Sequence, residues 1–183
     1  MSKRWLWIIP AALALAAWGT MPPRLDYVPG MTLPPTPDGE LIPGTEERII
    51  AANPASDVVV VVLHGFSSSR QELAPLGEIV ARALDASLVE VRLAGHGLVS
   101  NPMQDVYAEH WMADADRVMG AAAELGNDII IIGSSTGATL AAAMLDQESA
   151  ANVQTIVMLS PNFLPSAAGA SLVTGPGGQL LTR

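Results

Sequence analysis

Residues 129–137 read IIIIGSSTG and join a run of four isoleucines to the pattern Gly-x-Ser-x-Gly. An unbroken β-branched run is typical of a strand that is buried on both faces of a parallel sheet. The alanine-rich segment 136–150 that follows it is expected to form a helix. A sharp turn between this strand and this helix places Ser135 at its apex, between the small residues Gly133 and Gly137.

A strand, a sharp turn and a helix in this order are what a nucleophile elbow requires. Ser135 is therefore the candidate catalytic nucleophile, and Gly133 and Gly137 are expected to prevent clashes at the bend. The helix start favours negative charge that develops beside the serine. Two other interpretations stay open at this point, a glycine turn that only packs the helix on the strand and a phosphate-binding loop. No lysine follows the glycines, which weakens the second.

A second apolar run, VVVVVL at residues 58–63, is followed directly by His64, Gly65 and Phe66. A turn here would direct the backbone N–H of Phe66 to the same point as the N–H of Thr136. Two such donors form an oxyanion hole for a tetrahedral acyl intermediate. His64 and Gly65 are expected to brace this loop, and a role for His64 as general base is the less favoured alternative.

The remaining pattern alternates between strands and helices. Strands are expected at residues 48–52, 88–93 and 153–159, and helices at residues 73–84 and 104–125. This order predicts an α/β domain with a mostly parallel sheet, right-handed crossovers and helices on both faces. The glycine-rich stretch RLAGHG at residues 92–97 is expected to be a turn in which His96 bonds locally. His110 and Trp111 are expected to pack, and Asp114 to be structural.

The first 21 residues predict an export signal or a membrane anchor. Lys3 and Arg4 precede an uncharged apolar run at residues 5–18, which is the form of a signal peptide. Tryptophans at both ends of this run favour the alternative of an uncleaved anchor helix that contacts the membrane through residues 5–21. Either alternative puts the rest of the chain outside the cytoplasm, held at the inner membrane or free in the periplasm or medium. Residues 22–43 contain seven prolines and are expected to be a linker.

Composition limits the remaining possibilities. The length of 183 residues suits one domain, here residues 44–183 after the leader and linker. A net charge of −9 argues against nucleic-acid binding, which needs a basic face. The absence of cysteine excludes disulfides, thiolate metal sites and cysteine nucleophiles. No metal site and no organic cofactor are expected, and the sequence does not indicate an oligomeric state.

The ordered set of motifs resembles the α/β-hydrolase family. These motifs are HGF after one strand, RLAGHG after the next, WMAD on a helix and GSSTG after the following strand. They are similar to the branch that contains lipases, esterases, serine aminopeptidases and monoacylglycerol lipases, over roughly residues 45–165, although Ala94 stands where that branch usually has proline. The resemblance implies an acyl-enzyme reaction of Ser135 on a small ester or amide, with the amides of Phe66 and Thr136 as oxyanion donors.

The resemblance also implies a catalytic acid and a histidine after the serine, in that order. This chain has no histidine after Ser135, and its only later carboxylates, Asp146 and Glu148, lie too early for the acid. Asn162 lies near the place where some relatives have the acid. Three explanations stay open: a truncated hydrolase that is the N-terminal part of a longer one, a non-catalytic membrane-tethered remnant that binds a ligand or partner, and a histidine recruited from His64, His96 or a second chain.

Overall fold

The computed structural model describes residues 27–36, 39–52, 54–100 and 103–163. The predicted N-terminal apolar helix and the segment 164–183 lie outside the described residues. Within the part of the chain that the structure describes, no helix is long and apolar enough to cross a membrane. The described part of the proline-rich segment contacts the domain, because Pro34 O accepts a hydrogen bond from His110 and Leu41 forms an isolated bridge with Leu98.

The described residues form an α/β fold with one five-stranded sheet, which confirms the predicted fold class. The strands are β1 (Arg48–Ile50), β2 (Val58–Leu63), β3 (Ser87–Glu90), β4 (Asp128–Ser134) and β5 (Val153–Leu159). Their order across the sheet is β1-β3-β2-β4-β5. Only β1 runs antiparallel to its neighbour, and the other three pairings are parallel.

Three helices cover the two faces of this sheet. They are α1 (Leu76–Ala83), α2 (Ala108–Ala123) and α3 (Thr136–Met144). Strand β2 shows how the core is divided, because Val59 and Val61 face the cluster that contains α2 and α3. Val60 and Val62 face the opposite cluster, which contains α1. Side chains that alternate between two buried faces explain why this strand reads as an unbroken valine run.

Several predicted boundaries were wrong by a few residues. The helix predicted over 73–84 begins only at Leu76, because Pro75 is its N-cap and Leu73 belongs to a preceding 3-10 helix, Arg70–Leu73. The helix predicted over 136–150 ends at Met144, and a separate 3-10 helix, Glu148–Ala150, leads into β5. The strand predicted over 88–93 ends at Glu90, where its pairing with β1 ends.

Candidate active site

Ser135 occupies a strained turn between β4 and α3. Its backbone has φ 47° and ψ −111°, a left-handed conformation that costs a non-glycine residue about 1–3 kcal/mol. Its N–H donates to Leu159 O at 2.8 Å, which fixes the turn against β5. Ser135 is half-buried, and its hydroxyl forms no hydrogen bond with any described residue. The only buried hydroxyl without a partner in the described ranges belongs to Ser149, so the Ser135 hydroxyl reaches solvent.

The two elbow glycines are required because a side chain at either position would collide with neighbouring backbone atoms. A Cβ on Gly133 would lie 2.6 Å from the Cα of Ala138, inside the first turn of α3. A Cβ on Gly137 would collide with the carbonyl group of Leu63 and would lie 2.6 Å from the carbonyl oxygen of His64. The start of α3 therefore packs directly on the end of β2. This contact brings the loop after β2 beside Ser135.

The loop of Gly65, Phe66 and Ser67, named the oxyanion loop after the role expected for it, is held at three points. Gly65 N–H donates to Glu72 at 2.6 Å, and Gly65 O accepts from His64 Nδ1 at 2.8 Å. Ser67 N–H donates to His96 Nε2 at 3.0 Å. Phe66 N–H lies between these fixed groups and has no hydrogen-bond partner among the described residues. The N–H of Thr136, at the first position of α3, is likewise without a described partner.

His64 and His96 act here as neutral supports. His64 is fully buried, and burial lowers its pKa to about 4. Its Nε2 accepts from Leu93 N–H at 3.2 Å, so Nδ1 carries the proton that is donated to Gly65 O. Burial also lowers the pKa of His96, whose Nδ1 lies 3.0 Å from Ala94 O. Both rings join the oxyanion loop to the turn that follows β3. The bracing role expected for His64 stays a prediction.

The three histidines of the chain all use both ring nitrogens in this structure. His110 Nδ1 accepts from Tyr107 N–H at 3.0 Å at the start of α2, and its Nε2 lies 2.9 Å from Pro34 O. With His64 and His96 engaged as described above, no histidine here has a ring nitrogen left to accept the proton of Ser135. The alternative in which His64 or His96 is recruited as the general base therefore gains no support from these hydrogen bonds.

Trp111 and Asp114 hold the turn after β3 in place. Trp111 Nε1 donates to Ala94 O at 3.0 Å, and Ala94 N–H donates to Asp114 at 2.7 Å. Burial raises the pKa of Asp114, although its hydrogen bonds and Arg117 act in the opposite direction. The carboxylate is thus structural, as expected. Trp111 also contacts the Phe66 ring with centroids 5.9 Å apart, which supports the oxyanion loop from outside.

Two residues at the site were not predicted from the sequence. Glu72 accepts from Ser134 Oγ at 3.0 Å as well as from Gly65 N–H. Asn162, noted only for its position, bonds Thr139 Oγ1 and donates to Thr136 Oγ1 at 3.3 Å, so it secures the first turn of α3. Neither residue belongs to a local motif. Only its position could have indicated Glu72. It is a polar residue that follows the HGF motif and precedes Pro75, where a helix begins.

The described residues near Ser135 include groups that can take part in acyl chemistry. In the ranges that the structure describes, no group of three or more histidine, aspartate or glutamate side chains could hold a metal ion. A cavity of about 530 Å³ borders the oxyanion loop, with Ser67, Glu72 and His96 among its lining residues. A serine hydroxyl and two unpartnered amides are among the groups that an acyl-transfer site needs. The lining of this cavity includes neither Ser135, Phe66 nor Thr136.

Comparison with known proteins agrees with this geometry. The model of the alpha/beta hydrolase family matches residues 60–182. The chain belongs to the alpha/beta hydrolase family. This match begins in β2 and includes both the oxyanion loop and the elbow. No curated protein matches the sequence significantly.

Solved structures with the same fold include proteins that are described as a lipolytic enzyme and as an esterase. A structure from the metagenome-derived lipases LipS and LipT is 25% identical, with a TM-score of 0.65 over 73% of this chain and 53% of that chain. Est1E from Butyrivibrio proteoclasticus, solved with ferulic acid, is 16% identical, with a TM-score of 0.53 over 70% of this chain and 50% of its own. The esterase PF2001 of Pyrococcus furiosus is 19% identical, with a TM-score of 0.50 over 75% and 57%. The chain spans about half the length of these structures.

Proposed function

We propose that this chain carries the nucleophile half of a serine hydrolase that cleaves small esters or amides. Ser135 Oγ attacks the carbonyl carbon, and the N–H groups of Phe66 and Thr136 stabilise the oxyanion. The C–O or C–N bond then breaks, the leaving alcohol or amine takes up the serine proton, and water hydrolyses the acyl-enzyme. The observation that carries this proposal is the solvent-accessible hydroxyl of Ser135 at a strained apex, beside two unpartnered amides.

The proton acceptor for Ser135 is a histidine from outside this sequence, since each histidine of the chain already uses both ring nitrogens. Such a base accounts for a large part of the rate in serine hydrolases, because the hydroxyl at its ordinary pKa is a weak nucleophile. This histidine could come from further sequence or from a second chain, and these two sources are to be distinguished.

An ester is the substrate class that the comparisons favour. The metagenome-derived lipases share 25% of the aligned residues with this chain and are lipolytic. We place the domain outside the cytoplasm, tethered or exported through residues 1–21, on the pattern of that segment alone. A non-catalytic binding module is less favoured, because it has no need of a strained serine with a free hydroxyl.

Chemical rescue by imidazole tests this proposal. The full chain is assayed on p-nitrophenyl butyrate with increasing imidazole, which supplies the absent base in solution. Ser135→Ala measures the rate at which imidazole alone cleaves the ester. Ser149→Ala is the matched control, since it removes a serine hydroxyl away from the elbow. We expect an imidazole-dependent rate in wild type and in Ser149→Ala that exceeds the rate in Ser135→Ala. Equal rates in all three proteins would refute the proposal.

A further inference from the structure

One carboxylate joins the oxyanion loop to the elbow. Glu72 lies in the 3-10 helix Arg70–Leu73. One of its oxygens accepts from Gly65 N–H at 2.6 Å, and the other accepts from Ser134 Oγ at 3.0 Å. Gly65 directly precedes the proposed oxyanion donor Phe66, and Ser134 directly precedes the proposed nucleophile. The two halves of the candidate site thus share a single anchor.

Glu72 is also close to the reacting residue itself. A Cβ placed on Gly65 would lie 3.1 Å and 3.2 Å from the two Glu72 oxygens and 3.3 Å from the Cβ of Ser135. The carboxylate and the elbow therefore approach the same point beside Gly65. Glycine at this position leaves the space in which the anchor fits.

The role of Glu72 at the site depends on its hydrogen bonds and not on its charge. No cation of the described residues forms an ion pair with it. A negative charge beside an oxyanion opposes the charge that develops in the reaction, so the charge gives no direct benefit there. Hydrogen bonds from a carboxylate to a backbone N–H are short and strong, and they hold a loop firmly.

We propose that Glu72 is a positioning residue that fixes the oxyanion loop against the elbow and so sets the distance from Phe66 N–H to Ser135 Oγ. This inference rests on the proposed function. A glutamine at position 72 can keep both contacts, because its oxygen accepts from Gly65 N–H and its amide donates to Ser134 Oγ. An alanine loses both of them. The two variants therefore separate geometry from charge.

The experiment compares Glu72→Gln, Glu72→Ala and the control Glu124→Ala, an exposed glutamate at the end of α2. Hydrogen exchange of the Gly65 amide, measured by NMR on the full chain, reports the tether directly. In Glu72→Ala we expect this amide to exchange at least about tenfold faster. The kcat of imidazole-rescued ester hydrolysis should fall by about 10- to 100-fold with little change in KM, the effect of a misplaced catalytic group. Glu72→Gln and Glu124→Ala should stay within about threefold of wild type in both measurements.

The outcomes distinguish this inference from the proposed function. Unchanged Gly65 exchange in Glu72→Ala overturns the tether, whatever the activity. Faster exchange with unchanged kcat overturns its role in positioning, as does a Glu72→Gln variant as slow as Glu72→Ala. If no variant and no wild-type protein hydrolyses the ester, the proposed function fails, and Gly65 exchange still decides whether Glu72 holds the loop.

Discussion

At the scale of single residues, space at the elbow is the strictest requirement. Gly137 lies against the carbonyl groups of Leu63, the last residue of β2, and of His64, the residue that follows it. Gly120, in contrast, has nothing within 4 Å of the place where a Cβ would be, on an exposed turn of α2. The same substitution therefore has opposite consequences at these two positions.

We expect Gly137→Ala to lower the free energy of unfolding by about 3 kcal/mol or more, because the added Cβ forces the start of α3 away from β2. Gly120→Ala should raise it by up to about 1 kcal/mol, since alanine favours the helix and meets no neighbour. Urea unfolding of both variants measures the difference. Equal effects of the two substitutions would contradict the close contact between α3 and β2.

His64 links the stability of the fold to pH. Its pKa is about 4 in the folded chain against an ordinary value of 6.5, because burial disfavours the charged ring. Below pH 6.5 the unfolded chain binds a proton that the folded chain does not, so stability falls as the pH falls towards 4. A shift of this size corresponds to roughly 3 kcal/mol. Above pH 6.5 the ring is neutral in both states and contributes no pH dependence.

Urea unfolding between pH 7.5 and 4.5 tests this prediction. The wild-type free energy of unfolding should decline below pH 6.5, and the decline should be shallower in His64→Gln, which cannot be protonated. His96, whose pKa is also lowered by burial, accounts for part of the slope that remains. The same slope in both proteins would show that His64 is not buried in its neutral form.

The residues of the site divide into those that local sequence reveals and those that it does not. Ser135, Gly133 and Gly137 lie within five positions of one another, so the motif is complete in one stretch. Their chemical roles stay predictions. Glu72 meets Ser134 across 62 positions of sequence, and Asn162 meets Thr139 across 23. Such pairings depend on how the loops fold over the sheet, and no periodicity in the sequence predicts them.

At the scale of elements, strands were easier to predict than helix ends. Strands β2 and β5 have the predicted bounds. For β2 the reason is that an unbroken β-branched run suits a strand that is buried on both faces. The end of α3 at Met144 was missed because alanine-rich sequence favours helix well beyond that point. The chain stops the helix where it must turn back to pair with the sheet, so the tertiary fold overrides local preference.

Arg48 links β1 to β3 and to α1 through ion pairs. Its guanidinium contacts Glu90 on β3 and Glu78 on α1, both at 2.6 Å. Glu90 is only 1% exposed, so removal of its main partner leaves a buried carboxylate dependent on Arg70 at 3.6 Å. We expect Arg48→Met to lower the free energy of unfolding by about 2–3 kcal/mol.

Glu78→Gln is the control for this ion-pair prediction, since Glu78 lies at the surface and exposed pairs contribute little. Chemical unfolding of both variants compares them. A larger loss in Glu78→Gln than in Arg48→Met would mean that the surface contact, and not the buried one, holds β1.

At the scale of the whole molecule, the net charge of −9 should influence which substrates reach the site. A negative surface repels anionic esters and attracts cationic ones, and salt screens both effects. As the salt concentration rises, we expect kcat/KM to fall for a cationic ester and to rise for an anionic ester with the same acyl group. The change should be roughly two- to fivefold between about 10 and 300 mM salt. A neutral ester is the control, and identical salt responses of all three would contradict this prediction.

The chain spans about half the length of the family structures that it matches, and its described part includes the strained turn at Ser135 and the loop proposed to hold the oxyanion. The most direct test of the account is covalent. The full chain is treated with a fluorophosphonate in the presence of imidazole, digested and mapped by mass spectrometry. We expect one adduct, on the peptide that contains Ser135, and none in Ser135→Ala. An adduct on another serine, or none in the wild-type chain, would contradict it.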